Sequence, residues 1–327
     1  MTKALALRAG LLAAGVALVG AACSGSPPAS TSRAAHYVVS AYVPTAGGGG
    51  ALKVLGPDGR YGVLRPPAEA QSALPLPAPD GRHAAVPDLT GPRRGAGRIA
   101  VIDTASRRVT WIRTPLVPAT LSWSPDSRRI AVLGRSGPGA APVASVDLAT
   151  GQASVLSLPP PPGSRLRAGS VLFGPLGTGL VVPFGPANLS TSDGRLAFYT
   201  ARGQLVRWLR VDGSPVGSRP WSPSGRMVTL LADPASPGGP PRILALDART
   251  GRVVGRCALD GLPVAWLDEA HLAVATHTPG GAEIDSVRLD GRDRHRLAAL
   301  PPDTATPATV FLVAAAGVPP AAARYAF

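Results

Sequence analysis

The sequence predicts an all-β fold, a six-bladed β-propeller (seven-bladed as the alternative) closed by N- and C-terminal strands in a shared blade, and three observations predict it. A signal made of an aromatic or apolar residue, a turn and a strand returns at steps of 44 to 50 residues. An Asp-Gly type hairpin lies between successive copies. The composition is turn-rich yet apolar, with 39 glycines and 37 prolines among 327 residues and 45% hydrophobic content, which suits many short strands around a core.

The N-terminus precedes the repeats and has its own logic. Lys3 and Arg8 make a positive start, and Ala9 to Ala22 form an uncharged apolar run before a cysteine, the pattern of an export signal. That run is short for a bilayer span, and SGSPPASTS (24–32) follows as a flexible tether. The segment LVGAAC resembles a bacterial lipobox, with small Ala21 and Ala22 in place but Gly20 where leucine is preferred. Cys23 is therefore the candidate lipidation site, giving a lipoprotein on the outer face of the cell membrane; ordinary cleavage and secretion is the alternative. The expected organisation is a signal peptide over 1–22, a lipidated tether over 23–35, a β-propeller over 36–316 and a C-terminal tail over 317–327.

With Cys23 modified, Cys257 has no disulfide partner, and its apolar-flanked setting VVGRCALDG reads as a small buried hydrophobe rather than a nucleophile. Removing the signal leaves 31 basic against 19 acidic residues, a formal charge of +12 carried almost wholly by arginine, since lysine occurs only at Lys3 and Lys53. Such a charge holds an exported protein near anionic lipids and wall polymers without recognising any one of them.

Two repeat signals alternate through the rest of the chain. LSWSPDSRRIAVL (121–133) and RPWSPSGRMVTLL (219–231) are the clearer copies of the first, and LPLPAPDGRHAAV (74–86), SVLFGPLGTGLVV (170–182) and VAWLDEAHLAVAT (264–276) the weaker ones. Their second strands are expected to begin near Arg82, Arg128, Thr178, Arg226 and Ala270. The hairpins are AVIDTASRRVTWI (100–112), SVDLATGQASVLSL (145–158), AFYTARGQLVRWL (197–209), LALDARTGRVVGR (244–256) and SVRLDGRDRHRL (286–297), with ALKVLGPDGRYGVL (51–64) upstream. Asp accepts hydrogen bonds from nearby backbone N–H groups and Gly takes the positive φ, so D-x-x-T-G is a turn device first. Each repeat then supplies four antiparallel strands, A to D. HYVVSAYV (36–43) with 51–64 supplies three strands and TVFLVAA (309–315) a fourth, which would close the ring and hide its edges. A further strand in GPANLSTSDG (185–194) would make seven blades.

The runs from Trp123 to Ala131 (WSPDSRRIA) and from Trp221 to Val228 (WSPSGRMV) resemble the repeats of TolB-like and WD-type β-propellers, and the resemblance extends in period over about residues 36 to 316. It implies a propeller, and only weakly a translocation duty, since no separate N-terminal α/β domain precedes the repeats.

Chemical motifs point away from several enzyme classes. DEAH (268–271) has no phosphate loop to serve, and ALDARTG (245–251) starts like a quinoprotein repeat but lacks its docking tryptophan at Gly255. No G-x-S-x-G occurs, and the five histidines lack metal-binding spacing, so no cofactor, no metal and no nucleic acid is expected. His83 and His271 fall at equivalent starts of strand B near Asp80, Asp126, Asp268 and Glu269, the one acid–base cluster the repeat brings together. Arginine gathers in the A–B and C–D turns, at Arg60, Arg82, Arg107, Arg108, Arg128, Arg129, Arg202, Arg226, Arg252 and Arg292, which share one side of a propeller. That side is either a solvated charged rim or a face for an anionic ligand. The reading is a monomeric, membrane-tethered, non-catalytic module for an envelope protein or anionic ligand; the alternative is a hydrolase or lyase using the histidine–carboxylate cluster at the axial mouth.

Overall fold

The computed structural model describes residues 37–300, apart from 45–49, 56–60, 71–72, 74, 90–95, 136–138, 164–165, 186–193, 218, 235–240, 258–260 and 280, together with 310–314. The expected signal peptide, Cys23, the tether, Arg60 and the tail all lie outside the described residues.

In chain order the strands are β1 (Tyr37–Pro44), β2 (Gly50–Leu55) and β3 (Tyr61–Leu64); β4 (Leu76–Pro77), β5 (His83–Pro87), β6 (Gly97–Asp103) and β7 (Val109–Thr114); β8 (Pro118–Trp123), β9 (Arg129–Gly134), β10 (Ala141–Asp147) and β11 (Ala153–Leu158). They continue with β12 (Arg167–Ala168), β13 (Leu172–Phe173), β14 (Leu180–Gly185), β15 (Gly194–Tyr199) and β16 (Leu205–Val211); β17 (Ser214–Pro215), β18 (Met227–Ala232), β19 (Arg242–Asp247) and β20 (Val253–Cys257). The last are β21 (Leu262–Trp266), β22 (His271–Thr278), β23 (Gly281–Arg288), β24 (His295–Leu300) and β25 (Val310–Ala314).

Antiparallel pairing between sequence neighbours makes five blades: β4 to β7, β8 to β11, β12 to β16, β17 to β20 and β21 to β24, which we call blades 1 to 5. In blade 3 both β12 and β13 pair with β14. The remaining sheet has the order β25-β1-β2-β3 and takes strands from both ends of the described chain, with Tyr37 opposite Ala314 and Ala41 opposite Val310. The arrangement is an all-β propeller. The expected count of six blades, which included the sheet shared by the chain ends, is corrected to five; that shared sheet forms from β1, β2 and β3 with β25, the segments expected for it. The further strand expected in 185–194 falls on 186–193, outside the described residues; the flanking strands β14 and β15 pair with each other.

Strand position explains the burial. β9 (RIAVLG) is buried at five of six residues, as a strand sandwiched between two neighbouring sheets must be, whereas the fourth strands β11 and β20 are mostly exposed. The core is accordingly distributed between blades. Leu52 and Leu64 pack with Ala84, Val86 and Ile102 across the first seam, and Ile99 and Ile112 with Ile130 and Val146 across the next. First strands lie innermost, since β8 contacts β13 and β21 contacts β25.

Tryptophan supplies a repeated bond between blades. Trp123 Nε1 donates to the Leu76 carbonyl at 2.8 Å, Trp221 Nε1 to that of Phe173 at 2.9 Å, and Trp266 Nε1 to that of Pro220 at 3.0 Å. Each therefore ties its own blade to the one before, at a chain separation of 46 to 48 residues.

Candidate functional site at the axial mouth

The A–B turns share one backbone scheme. In blade 2 Ser124 N donates to Arg129 O and Ser127 N to Ser124 O; in blade 4 Ser222 N donates to Met227 O and Gly225 N to Ser222 O; blades 1 and 3 do the same from Ala78 and Gly174. The third turn residue takes positive φ, at Gly81, Ser127 (59°), Gly177 and Gly225. Serine serves as the turn's anchor: Ser124 Oγ accepts from Arg129 N at 2.9 Å and itself donates to Asp126.

The C–D turns are equally regular. Asp103, Asp147 and Asp247 each accept, through Oδ1, two backbone N–H bonds and a hydroxyl bond, as in Thr250 N at 2.7 Å and Thr250 Oγ1 at 2.7 Å to Asp247. All three carboxyls are held below the usual range, Asp103 and Asp147 chiefly by the backbone N–H of Ser106 and Thr150, and Asp247 chiefly by the Thr250 hydroxyl. The two kinds of turn touch, because Thr104 N, Leu148 N and Ala248 N donate to the carbonyls of Arg82, Arg128 and Arg226. One side of the molecule thus gathers both sets of turns.

That side carries the expected arginines. Arg82, Arg107, Arg108, Arg128, Arg202, Arg226, Arg252 and Arg292 are exposed. Arg129 is half-buried, 5.1 Å from the Phe173 ring centroid and bonded through Nη2 to Gly177 O at 3.4 Å. Arg107 is partly structural, since its Nη1 donates to Val63 O on β3.

Within these turns opens a cavity of about 340 Å³. Its walls are aromatic and aliphatic, from Trp123, Phe173, Trp221, Leu121 and Leu172, and Pro79, Pro125 and Pro223 of three A–B turns form its lip. Leu176 completes the lip with 72% of its surface exposed and a positive φ of 56°. Arg219 contributes the charged lining group, and its Nη2 reaches from blade 4 to the Pro79 carbonyl of blade 1 at 3.0 Å. The sequence reading missed Arg219 and Leu176; the repeated tryptophans were the available signal, since they mark the innermost strands.

Of the expected histidine–carboxylate cluster, the structure brings His271 and Asp268 together and gives Glu269, Asp80 and His83 other partners. His271 Nδ1 pairs with Asp268 at 2.9 Å within its own turn, and that carboxyl, which burial would raise, is pulled below its usual range by the N–H groups of Ala270 and His271. Glu269 clasps the neighbouring blade through Ser224 N at 2.6 Å and Ser224 Oγ at 2.9 Å. Asp80 Oδ1 accepts from Arg82 N, and His83 stacks against Trp123 at 6.5 Å with its buried Nδ1 making no hydrogen bond. Among the described residues no three His, Cys, Asp or Glu side chains form a metal-holding group. Cys257 is 3% exposed in the core between blades 4 and 5, and burial raises its thiol to about 11. Among the described residues no helix is long and apolar enough to cross a membrane.

No protein-family model matches the chain, and no curated protein sequence does. Among solved structures it is similar to TolB from Acinetobacter baumannii, with 17% identity and a TM-score of 0.51 over 84% of this chain and 65% of that one. The chain has a TolB-like propeller fold. It spans just under two thirds of the length of that TolB. It is also similar to an oligogalacturonate lyase in complex with manganese (12% identity, TM-score 0.49, 81% of this chain and 84% of that one). An acylaminoacyl peptidase from Pyrococcus horikoshii matches at 12% identity and TM-score 0.49, over 81% of this chain and 45% of that one. These likenesses concern the fold alone.

Proposed function

We propose that the chain is an exported, membrane-tethered propeller that works as a non-catalytic binding module, taking its ligand or envelope partner at the axial mouth on the side of the A–B and C–D turns. The observation that carries this reading is the cavity of about 340 Å³ walled by Trp123, Phe173 and Trp221, a concave apolar site with few polar groups, as ligand sites are built. The carboxylates nearest a conceivable reaction centre are engaged as turn acceptors and blade clasps, which favours binding over hydrolysis. The arginines around the mouth add attraction for anionic partners and make it sensitive to salt. Export and lipidation at Cys23 rest on the N-terminal sequence.

The test is capture of partners from membranes with the wild-type protein, with Leu176→Asp and with Cys23→Ala. The reading expects Leu176→Asp to lose the captured species while melting as the wild type does, because Leu176 is exposed. It expects Cys23→Ala to release the protein from the membrane fraction and keep the partner. Capture unchanged by Leu176→Asp would remove the axial mouth as the binding site, and no fatty-acid label on the wild type would remove the tether.

A further inference from the structure

We infer that the axial cavity takes a monomeric amphiphile made of one apolar chain or ring and a carboxylate, with the apolar part inside the funnel and the acid at its rim. The inference rests on the proposed binding role of the mouth. Three independent features of the site point to this chemistry.

The first is size and lining. A cavity of about 340 Å³ lies at the small end of the roughly 300–1,000 Å³ of ligand sites, so it accommodates one small apolar body, and tryptophan, phenylalanine, leucine and proline surround it. The second is Leu176. At the equivalent turn position blade 1 carries Asp80, blade 2 Asp126, blade 4 Ser224 and blade 5 Glu269, all polar, as a solvated turn tip requires. Leu176 instead exposes 72% of its surface at the lip and holds φ of 56°, a conformation costly for a leucine. An apolar side chain kept in water at such a place, against the pattern of its siblings, belongs to a surface that becomes covered.

The third feature is charge. The lining residues come from blades 1 to 4, and three residues beyond the lip prolines Pro79, Pro125 and Pro223 stand the exposed Arg82, Arg128 and Arg226. Arg129 joins them, and Arg219 lies within the wall. Two carboxylates of the same turns, Asp80 and Asp126, stay ionised while accepting the N–H groups of Arg82 and Arg128. Glu269 of blade 5 is held against Ser224 beside Pro223 and adds a third carboxylate at the rim, so guanidinium groups outnumber carboxylates there by five to three. An anion above the mouth therefore meets guanidinium groups, and a cation meets repulsion.

The full chain is titrated with decanoate, decanol and decyltrimethylammonium, followed by tryptophan fluorescence, which Trp123 and Trp221 should report, and by calorimetry for stoichiometry. The expected result is one decanoate per chain, bound at least about tenfold more tightly than the cationic analogue. Its affinity should fall severalfold between about 50 mM and about 500 mM salt. Leu176→Ser should weaken decanoate about fivefold through lost apolar contact, with the melting temperature unchanged. Absence of decanoate binding, equal affinity for all three, or tighter binding of the cation overturns the inference. The two readings separate cleanly: partner capture lost in Leu176→Asp without decanoate binding keeps the mouth and discards the amphiphile, whereas decanoate binding with capture intact discards the mouth as the partner site.

Discussion

Ser124 shows how a single side chain sets the local fold. It is fully buried, accepts a bond from Arg129 N and donates to Asp126, so it closes the turn that aims Pro125 at the cavity. Ser124→Ala removes the acceptor of the half-buried Arg129 N–H, and we expect a loss of about 0.5–1.5 kcal/mol in denaturant unfolding. Ser222 plays the same part in blade 4, with Met227 N at 3.2 Å. Cys257 makes the opposite point, as a polar-capable atom used for packing. Its thiol, raised to about 11 by burial, is neutral at pH 8, so a colourimetric thiol reagent should react with it only at the rate of unfolding. Rapid labelling of folded Cys23→Ala protein would contradict this. These residue roles were partly legible in the sequence: Ser-Pro-Asp and Asp-x-x-Thr-Gly name their turns through short-range hydrogen bonding. What Glu269 does was not legible, because its partner Ser224 lies 45 residues away on another blade.

At the scale of the element, the blade is a four-strand unit stitched to its predecessor by an indole. Trp266 is 2% exposed and donates to Pro220 O at 3.0 Å. Trp266→Phe retains most of the packing and removes one of the two bonds that Pro220 O accepts, the other coming from Thr229 N at 2.7 Å, for an expected cost of about 0.5–1.5 kcal/mol with the fold kept, measurable in the same unfolding assay. The sequence located the second strands to within two residues: they start at His83, Arg129, Leu180, Met227 and His271, against expected starts near 82, 128, 178, 226 and 270. These strands carry long apolar runs. First strands were harder to see, since β4, β13 and β17 are two residues each and leave little pattern to detect. That is why the cavity, which β4 and β13 help to line, escaped the sequence reading.

At the scale of the whole molecule, β25 matters beyond its length. It pairs with β1 and contacts β21, so it joins the last blade to the sheet shared by the chain ends. Ending the chain at Leu300 exposes the edge of β1, and the expected outcome is broadened, less cooperative melting with self-association on size exclusion. A truncated chain that melts sharply as a monomer at the wild-type temperature would show that this closure contributes nothing. The blade count failed at this same scale. The pairing of the 51–64 hairpin with β1, and of β1 with β25, was legible from the chain ends, whereas the number of blades was not.

The central claim is that binding happens at the mouth where the A–B turns meet. Hydrogen exchange of the protein, free and bound to the species it captures from membranes, tests this most directly. The account predicts added protection in 76–82, 121–128, 172–179 and 217–226, the segments that contain the lip and walls of the cavity. Protection confined to the outer strands β7, β11, β16 and β20, with those four segments unchanged, would contradict it.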